Sequence, residues 1–135
     1  MYQKIEIIGR LGADPSMRYT PSGQPVTNLS VATTNEYNTK GGEHVKETTW
    51  FRVSIWGSAA EACKKYLNKG SLVFVEGKVS IDKATGNPRI FEKSDGTWAS
   101  TLEINASLVK FLSSKSGGES QASSEEEDLP EYMTG

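Results

Sequence analysis

The sequence predicts an all-β fold, a small barrel of five strands with one short helix set between the third strand and the fourth. Three observations carry this. Five segments are rich in β-branched and aromatic residues, Gly, Pro and Asn clusters separate them, and a single run of good helix formers falls between segments three and four. The strands are expected at Lys4 to Arg10, Val26 to Thr34, Thr48 to Trp56, Leu72 to Val79 and Thr101 to Phe111. The helix is expected at Ser58 to Leu67, SAAEACKKYL, with Asn68, Lys69 and Gly70 as its stop signal.

That order of elements matches an OB-fold, a five-stranded Greek-key barrel that binds oligonucleotides on a strand face and its adjoining loops. A fold analogy does not by itself assign a function, so the site has to be argued from its residues. Asn35 to Glu47 is polar and contains Gly41-Gly42, and it is expected as the loop of a long hairpin joining strands two and three. Ser80 to Ser100 forms a second long connection. Its turn signals Thr85-Gly86-Asn87-Pro88 and Ser94-Asp95-Gly96 flank the short run Arg89-Ile90-Phe91, which suits an extended hairpin. From Ser113 onward the chain is rich in Ser, Gly and Glu and poor in large apolar side chains, so a flexible tail over 113–135 is expected after a globular domain over 1–112.

Of the 135 residues, 15 are Lys or Arg and 17 Asp or Glu, giving a net charge of −2 that hides an asymmetry. Residues 1–112 hold 14 basic side chains against 11 acidic ones, a charge of +3, whereas residues 113–135 hold one against 6, a charge of −5. The tail therefore masks a mildly basic domain. No stretch is apolar for the length a bilayer requires, and MYQKIEIIGR lacks the apolar run of a signal peptide, so no membrane partner is expected. Cys63 is the only cysteine, which excludes an internal disulfide and fits a reducing compartment.

The third strand carries the candidate chemistry. Side chains alternate across a strand, so Trp50, Arg52, Ser54 and Trp56 share one face and Phe51, Val53 and Ile55 the other. The second set is wholly apolar and suits the barrel interior, which turns two indoles and a guanidinium outward. Single-stranded nucleic acid is a fitting partner, because every base has a π-face to lay on an indole while cations meet the phosphates. Tyr37 in the first long loop, and Phe91 and Trp98 in the second, add aromatics, and Lys40, Lys46, Lys83, Arg89 and Lys93 sit among them. The competing reading is an OB-type assembly module in which Trp50 and Trp56 bury at a subunit interface.

Other signals are weak. His44 lies in a Gly-rich polar loop with no cysteine near it, Gly9-Arg10-Leu11-Gly12 lacks the third glycine of a dinucleotide-binding turn, and Asn28-Leu29-Ser30 and Asn105-Ala106-Ser107 fall within expected strands, where a glycan has no place. The acids are scattered and no Ser-His-Asp set, Cys-His pair or phosphate loop is present, so no catalytic residue, metal or cofactor is expected, and a nuclease is disfavoured.

Lys4-Ile5-Glu6-Ile7-Ile8-Gly9-Arg10-Leu11-Gly12-Ala13-Asp14-Pro15 with Arg18-Tyr19, then Asn28 to Thr33, Thr49 to Gly57, and Tyr66 to Gly77, together resemble the bacterial and mitochondrial single-stranded DNA-binding protein family over roughly residues 3–112. The resemblance implies a homotetramer that wraps single-stranded DNA without a cofactor, serves replication, recombination and repair, and recruits other enzymes through an acidic tail tip. It puts Trp50 and Trp56 on stacking positions of the third strand and Tyr37 on a loop stacking position, with Phe91 chosen for the last one and Trp98 as the alternative. Arg10, Arg18, Lys64 and Lys69 match positions commonly basic in the family. In the tail, Glu125-Glu126-Glu127-Asp128-Leu129-Pro130 reproduces the acidic and apolar part of the tip, while Glu131-Tyr132-Met133-Thr134-Gly135 departs from its aromatic end, leaving Tyr132 as the substitute. A tail of this sign is also expected to compete with DNA for the basic groove. A cytoplasmic, nucleoid-associated location is expected with Met1 directly before the domain, with an organelle matrix or a phage-infected cell as alternatives.

Overall fold

A computed structural model describes residues 1–113. It contains β1 (Ile5–Leu11), β2 (Ser16–Tyr19), β3 (Pro25–Asn38), β4 (His44–Trp56), α1 (Ser58–Tyr66), β5 (Leu72–Val79), β6 (Ile90–Glu92), β7 (Trp98–Ser100) and β8 (Leu102–Phe111). Five of these close a barrel in the order β1-β5-β8-β4-β3, and β3 returns to β1 through Arg10↔Ala32 and Leu11↔Val31. All neighbouring pairs are antiparallel except β4 with β8, which run parallel from Phe51↔Leu102 to Ser54↔Asn105. The short β2 adds to the outer edge of β3, and β6 and β7 form a separate two-stranded hairpin between β5 and β8.

Pleat alternation fills the interior. Leu29 and Val31 of β3, Val53 and Ile55 of β4, Val73 and Val75 of β5 and Ile104 of β8 are buried together. Helix α1 closes one end of the barrel with Ala60, Cys63 and the following Leu67, a spacing that puts all three on one helical face. Thr27 Oγ1 donates to Ala60 O at 2.7 Å in a buried bond and fixes the helix onto β3. Burial pushes the Cys63 thiol up to about 11, so it stays a neutral core group.

Two glycines make the closure possible. A Cβ on Gly9 would lie 2.2 Å from Ala32 O, where β1 passes from β5 to β3. A Cβ on Gly77 would lie 2.2 Å from Asn105 O, beside the β5–β8 register shift between Glu76 and Gly77.

The five expected barrel strands and the helix between the third and fourth of them all occur. Two features differ. The segment expected as a loop over Asn35 to Glu47 is mostly strand, because β3 and β4 stay paired out to Asn38↔His44 and only 39–43 turn. Tyr37 is consequently a strand residue paired with Val45. The edge strand β2 was not anticipated from Ser-Met-Arg-Tyr. The extended hairpin expected within Ser80 to Ser100 is present as β6 and β7, around the turn at 93–97.

Candidate nucleic-acid interface

The β3–β4 ladder runs without a bulge from Val26↔Trp56 to Asn38↔His44, so the alternation of faces is unbroken along both strands. Trp50, Arg52, Ser54 and Trp56 therefore lie on the face opposite the buried Val53 and Ile55, as the sequence implies. Trp56 is 42% exposed, and Trp50 and Arg52 are half-buried. The six residue steps from one tryptophan to the other separate their Cα atoms by about 20 Å along the strand.

Neighbouring strands complete this face in rows. Arg18 of β2 pairs with Val26, which pairs with Trp56. Asn28 pairs with Ser54, and Ser54 Oγ donates to Asn28 Oδ1 at 3.0 Å, giving the face a polar pair between Arg52 and Trp56. Ser30 pairs with Arg52, and Arg52 with Glu103 of β8. Arg10 pairs with Ala32, which pairs with Trp50. The sequence alone singles out neither Asn28 and Ser30 as residues of this face nor the acid Glu103. Their strands follow from local sequence, but their place beside Arg52 depends on which strands pair.

The basic residues fall into three groups around the strip. At the helix end of the barrel, Arg10 Nη1 donates to Gly70 O at 3.0 Å, Lys64 Nζ donates to Pro15 O at 3.0 Å, and Lys69 N donates to Asp14 Oδ1 at 2.8 Å. These bonds tie the end of β1 and the β1–β2 loop to α1 and the turn after it, and exposed Arg18 stands on β2 close by in the chain. At the far tip of the β3–β4 arm are Lys40, in the turn, and Lys46, opposite Glu36 in the ladder. The β5–β8 connection carries exposed Lys83, half-buried Lys93, and Arg89, whose Nε lies 3.3 Å from Glu103 Oε2.

Among the aromatics, the structure separates what the sequence grouped. Tyr37 shares its face with Val45, Asn35 and Glu47, opposite to that of Trp50, and its hydroxyl donates to Glu47 Oε1 at 2.9 Å. That bond to a carboxylate pushes the phenol pKa up. In the small hairpin, Glu92↔Trp98 and Phe91↔Ala99 put Phe91 and Trp98 on opposite faces. Trp98 is 66% exposed with exposed Ile90 on the same face, whereas Phe91 is half-buried. At the arm tip, His44 Nδ1 lies 3.1 Å from Asn38 Oδ1 and Nε2 3.9 Å from Glu36 Oε2, a polar cluster on the exposed arm. No group of three or more His, Cys, Asp or Glu side chains among the described residues is arranged to hold a metal ion. No helix among them is long and apolar enough to cross a membrane. The expected tail residues Glu125 to Pro130 and Tyr132 lie outside the described residues.

Residues 2–112 match the model of a family described as the single-strand binding protein family. Among curated relatives, the single-stranded DNA-binding protein of Neisseria meningitidis serogroup A is 37% identical over 118 residues, spanning 85% of this chain and 64% of the relative. The single-stranded DNA-binding protein of Xylella fastidiosa is 36% identical over 115 residues, spanning 85% of this chain and 66% of the relative. The chain thus spans a little under two thirds of the length of these relatives. Among solved structures, a deletion mutant of the single-stranded DNA binding protein from Thermus aquaticus superposes with a TM-score of 0.63 at 29% identity, covering 84% of this chain and 52% of that one.

Proposed function

The chain belongs to the single-strand binding protein family, and on that premise we propose that it coats single-stranded DNA irrespective of base sequence, by stacking bases on aromatics and meeting phosphates with Lys and Arg. The observation that carries the reading is the outward row of Trp50, Arg52 and Trp56 on an unbroken ladder, flanked by Arg10 and Arg18. Apolar side chains stranded at the surface of a small barrel gain by covering, and the flat π-faces of unpaired bases cover indoles without demanding a sequence. This is a binding role, with no chemical step assigned to any residue.

Of the two candidates on the small hairpin, Trp98 fits the stacking role better, since its indole is open and Phe91 is not. Assembly of several copies uses a different side of the barrel. The outer face of β1, β5 and β8 exposes Ile8 and Leu108, with Leu112 just beyond β8, and burying it between copies leaves β3 and β4 free for DNA. The number four comes from the family resemblance. So do the acidic tail as a recruiter of replication and repair proteins, and a place in the bacterial cytoplasm on the nucleoid.

Titration with poly(dT) tests the reading. Tryptophan fluorescence is expected to fall on binding, the affinity to drop as salt rises and phosphate counterions are no longer released to advantage, and duplex competitor to do little. The Trp50→Ala, Trp56→Ala double variant is expected to lose DNA affinity while keeping its oligomeric mass. Lost mass with retained DNA affinity would instead assign the indoles to a subunit interface.

A further inference from the structure

Glu103 is an acid in the middle of a surface otherwise suited to phosphates. It pairs with Arg52 across the parallel β4–β8 ladder and stands on the same outward face, opposite to its buried neighbour Ile104. Its side chain is only 14% exposed. The oxygen Oε2 is closed to solvent, accepts no hydrogen bond of good geometry, and has Arg89 Nε 3.3 Å away. A buried carboxylate oxygen held by charge alone is poorly compensated for its lost hydration, so this pair is one that a better partner can replace. The backbone at the same residue anchors the start of the 80–101 connection, with Ser80 N donating to Glu103 O at 2.8 Å.

We propose that Glu103 acts as an internal counter-charge that stands in for a DNA phosphate, occupying Arg89 and lowering the potential around Arg52 in the free protein. Binding then exchanges an intramolecular ion pair for an intermolecular one, where two free arginines would simply add two phosphate contacts. The affinity is held below what the cations alone would give, which eases release and movement along the strand. Glu103 is in this sense an affinity-setting residue of the same surface, and the inference rests on the single-strand-binding reading above.

The exchange has a signature that simple anchoring of the connection lacks. Glu103→Gln keeps the shape and removes the charge. It is expected to tighten binding of an oligo(dT) about 5- to 10-fold at low salt, and to steepen the dependence of log K on log salt by about 0.7, the single-strand increment for one more phosphate contact. Arg89→Gln supplies the second arm. In the native background it is expected to weaken binding less than about threefold, because Arg89 is already engaged. In the Glu103→Gln background it is expected to weaken binding about 10-fold, a non-additivity that marks the two residues as coupled.

Unchanged or weaker binding by Glu103→Gln, or equal effects of Arg89→Gln in the two backgrounds, overturns the proposal and leaves Glu103 as a structural anchor. Failure of the native protein to bind the oligonucleotide is a different result. It removes the single-strand-binding reading, and this inference with it.

Discussion

Replacing Gly9 with alanine tests the barrel closure on which the candidate surface depends. At this position β1 leaves β5 for β3, and the added Cβ would meet Ala32 O at 2.2 Å and Val31 Cγ1 at 2.8 Å. The closest neighbour is backbone, which cannot rotate away. Carbon-to-oxygen approaches between strands are ordinarily about 3.3–3.6 Å, so β1 and β3 must separate by roughly 1 Å. The seam is registered only at Arg10↔Ala32 and Leu11↔Val31, so that displacement strains most of the contact between these two strands. Overpacking of this kind costs about 1–3 kcal/mol, and weakened seam hydrogen bonds add about 0.5–1.5 kcal/mol each. A total of roughly 2–4 kcal/mol is a large part of the 5–15 kcal/mol that holds a typical domain together. At about 4 °C per kcal/mol for a domain of this size, Tm is expected to fall by roughly 8–16 °C. Thermal unfolding followed by far-UV circular dichroism, at matched protein concentration, reads it directly. A Tm within about 2 °C of the parent would show that β1 and β3 do not meet at this seam.

Other perturbations bear on the helix, the core thiol and the two peripheral aromatics. Thr27→Val removes the buried bond to Ala60 O while keeping the shape, and is expected to cost about 1 kcal/mol, or about 4 °C in Tm. Trp98→Ala is expected to weaken oligo(dT) binding about 5- to 150-fold, from a stacking worth of about 1–3 kcal/mol that single-strand binders of this family helped to establish, whereas Phe91→Ala is expected to change stability more than affinity. Cys63 is expected to resist a thiol reagent in the native state and to react promptly in denaturant. Its folded pKa of about 11 lies above the usual 9.0, so the unfolded chain loses its proton first and stability is expected to fall as pH rises through the window from 9 to 11. A Cys63→Ala variant whose stability declines just as much over that window would assign the decline to other groups. Tyr37→Ala is expected to leave the affinity for a short oligonucleotide within about twofold, and to weaken binding of a long strand able to pass round the arm.

The barrel was legible because its strands are half buried. Alternation between an apolar and a polar face marks a strand only where one face meets a core, and β4 shows it from Phe51 to Ile55, with Val53 and Ile55 fully enclosed. Past Thr48 both faces of the β3–β4 arm meet solvent, so the pairing of Asn35 with Glu47 leaves no apolar period to detect. The turns carried more information than the strands there. The segments 20–24, 39–43 and 93–97 each return the backbone N–H of the first residue to the carbonyl of the last, and each puts a glycine with positive φ at its fourth position. Gly23, Gly42 and Gly96 thus marked three hairpins, and the strands on both sides of each could have been extended from them.

The candidate surface was legible only as far as one strand reaches. Parity along β4 was enough to turn Trp50, Arg52 and Trp56 outward, since it needs no knowledge of neighbours. Which side chains stand beside them is set by pairing between distant segments, and this brought in Asn28, Ser30 and Glu103, two polar groups and an acid that no pattern of basic and aromatic residues would select. The same register works against Tyr37. An uninterrupted ladder puts residues 37 and 50 on opposite faces, so a nucleotide strand lying along the Trp50–Trp56 row meets Tyr37 only after rounding the edge of the arm. The hydroxyl bond to Glu47 ties the ring across its own face, beside a carboxylate that repels phosphate. Tyr37 is therefore suited to the path of a long strand around the arm, while the primary contact we propose is the face that β2, β3, β4 and β8 build together.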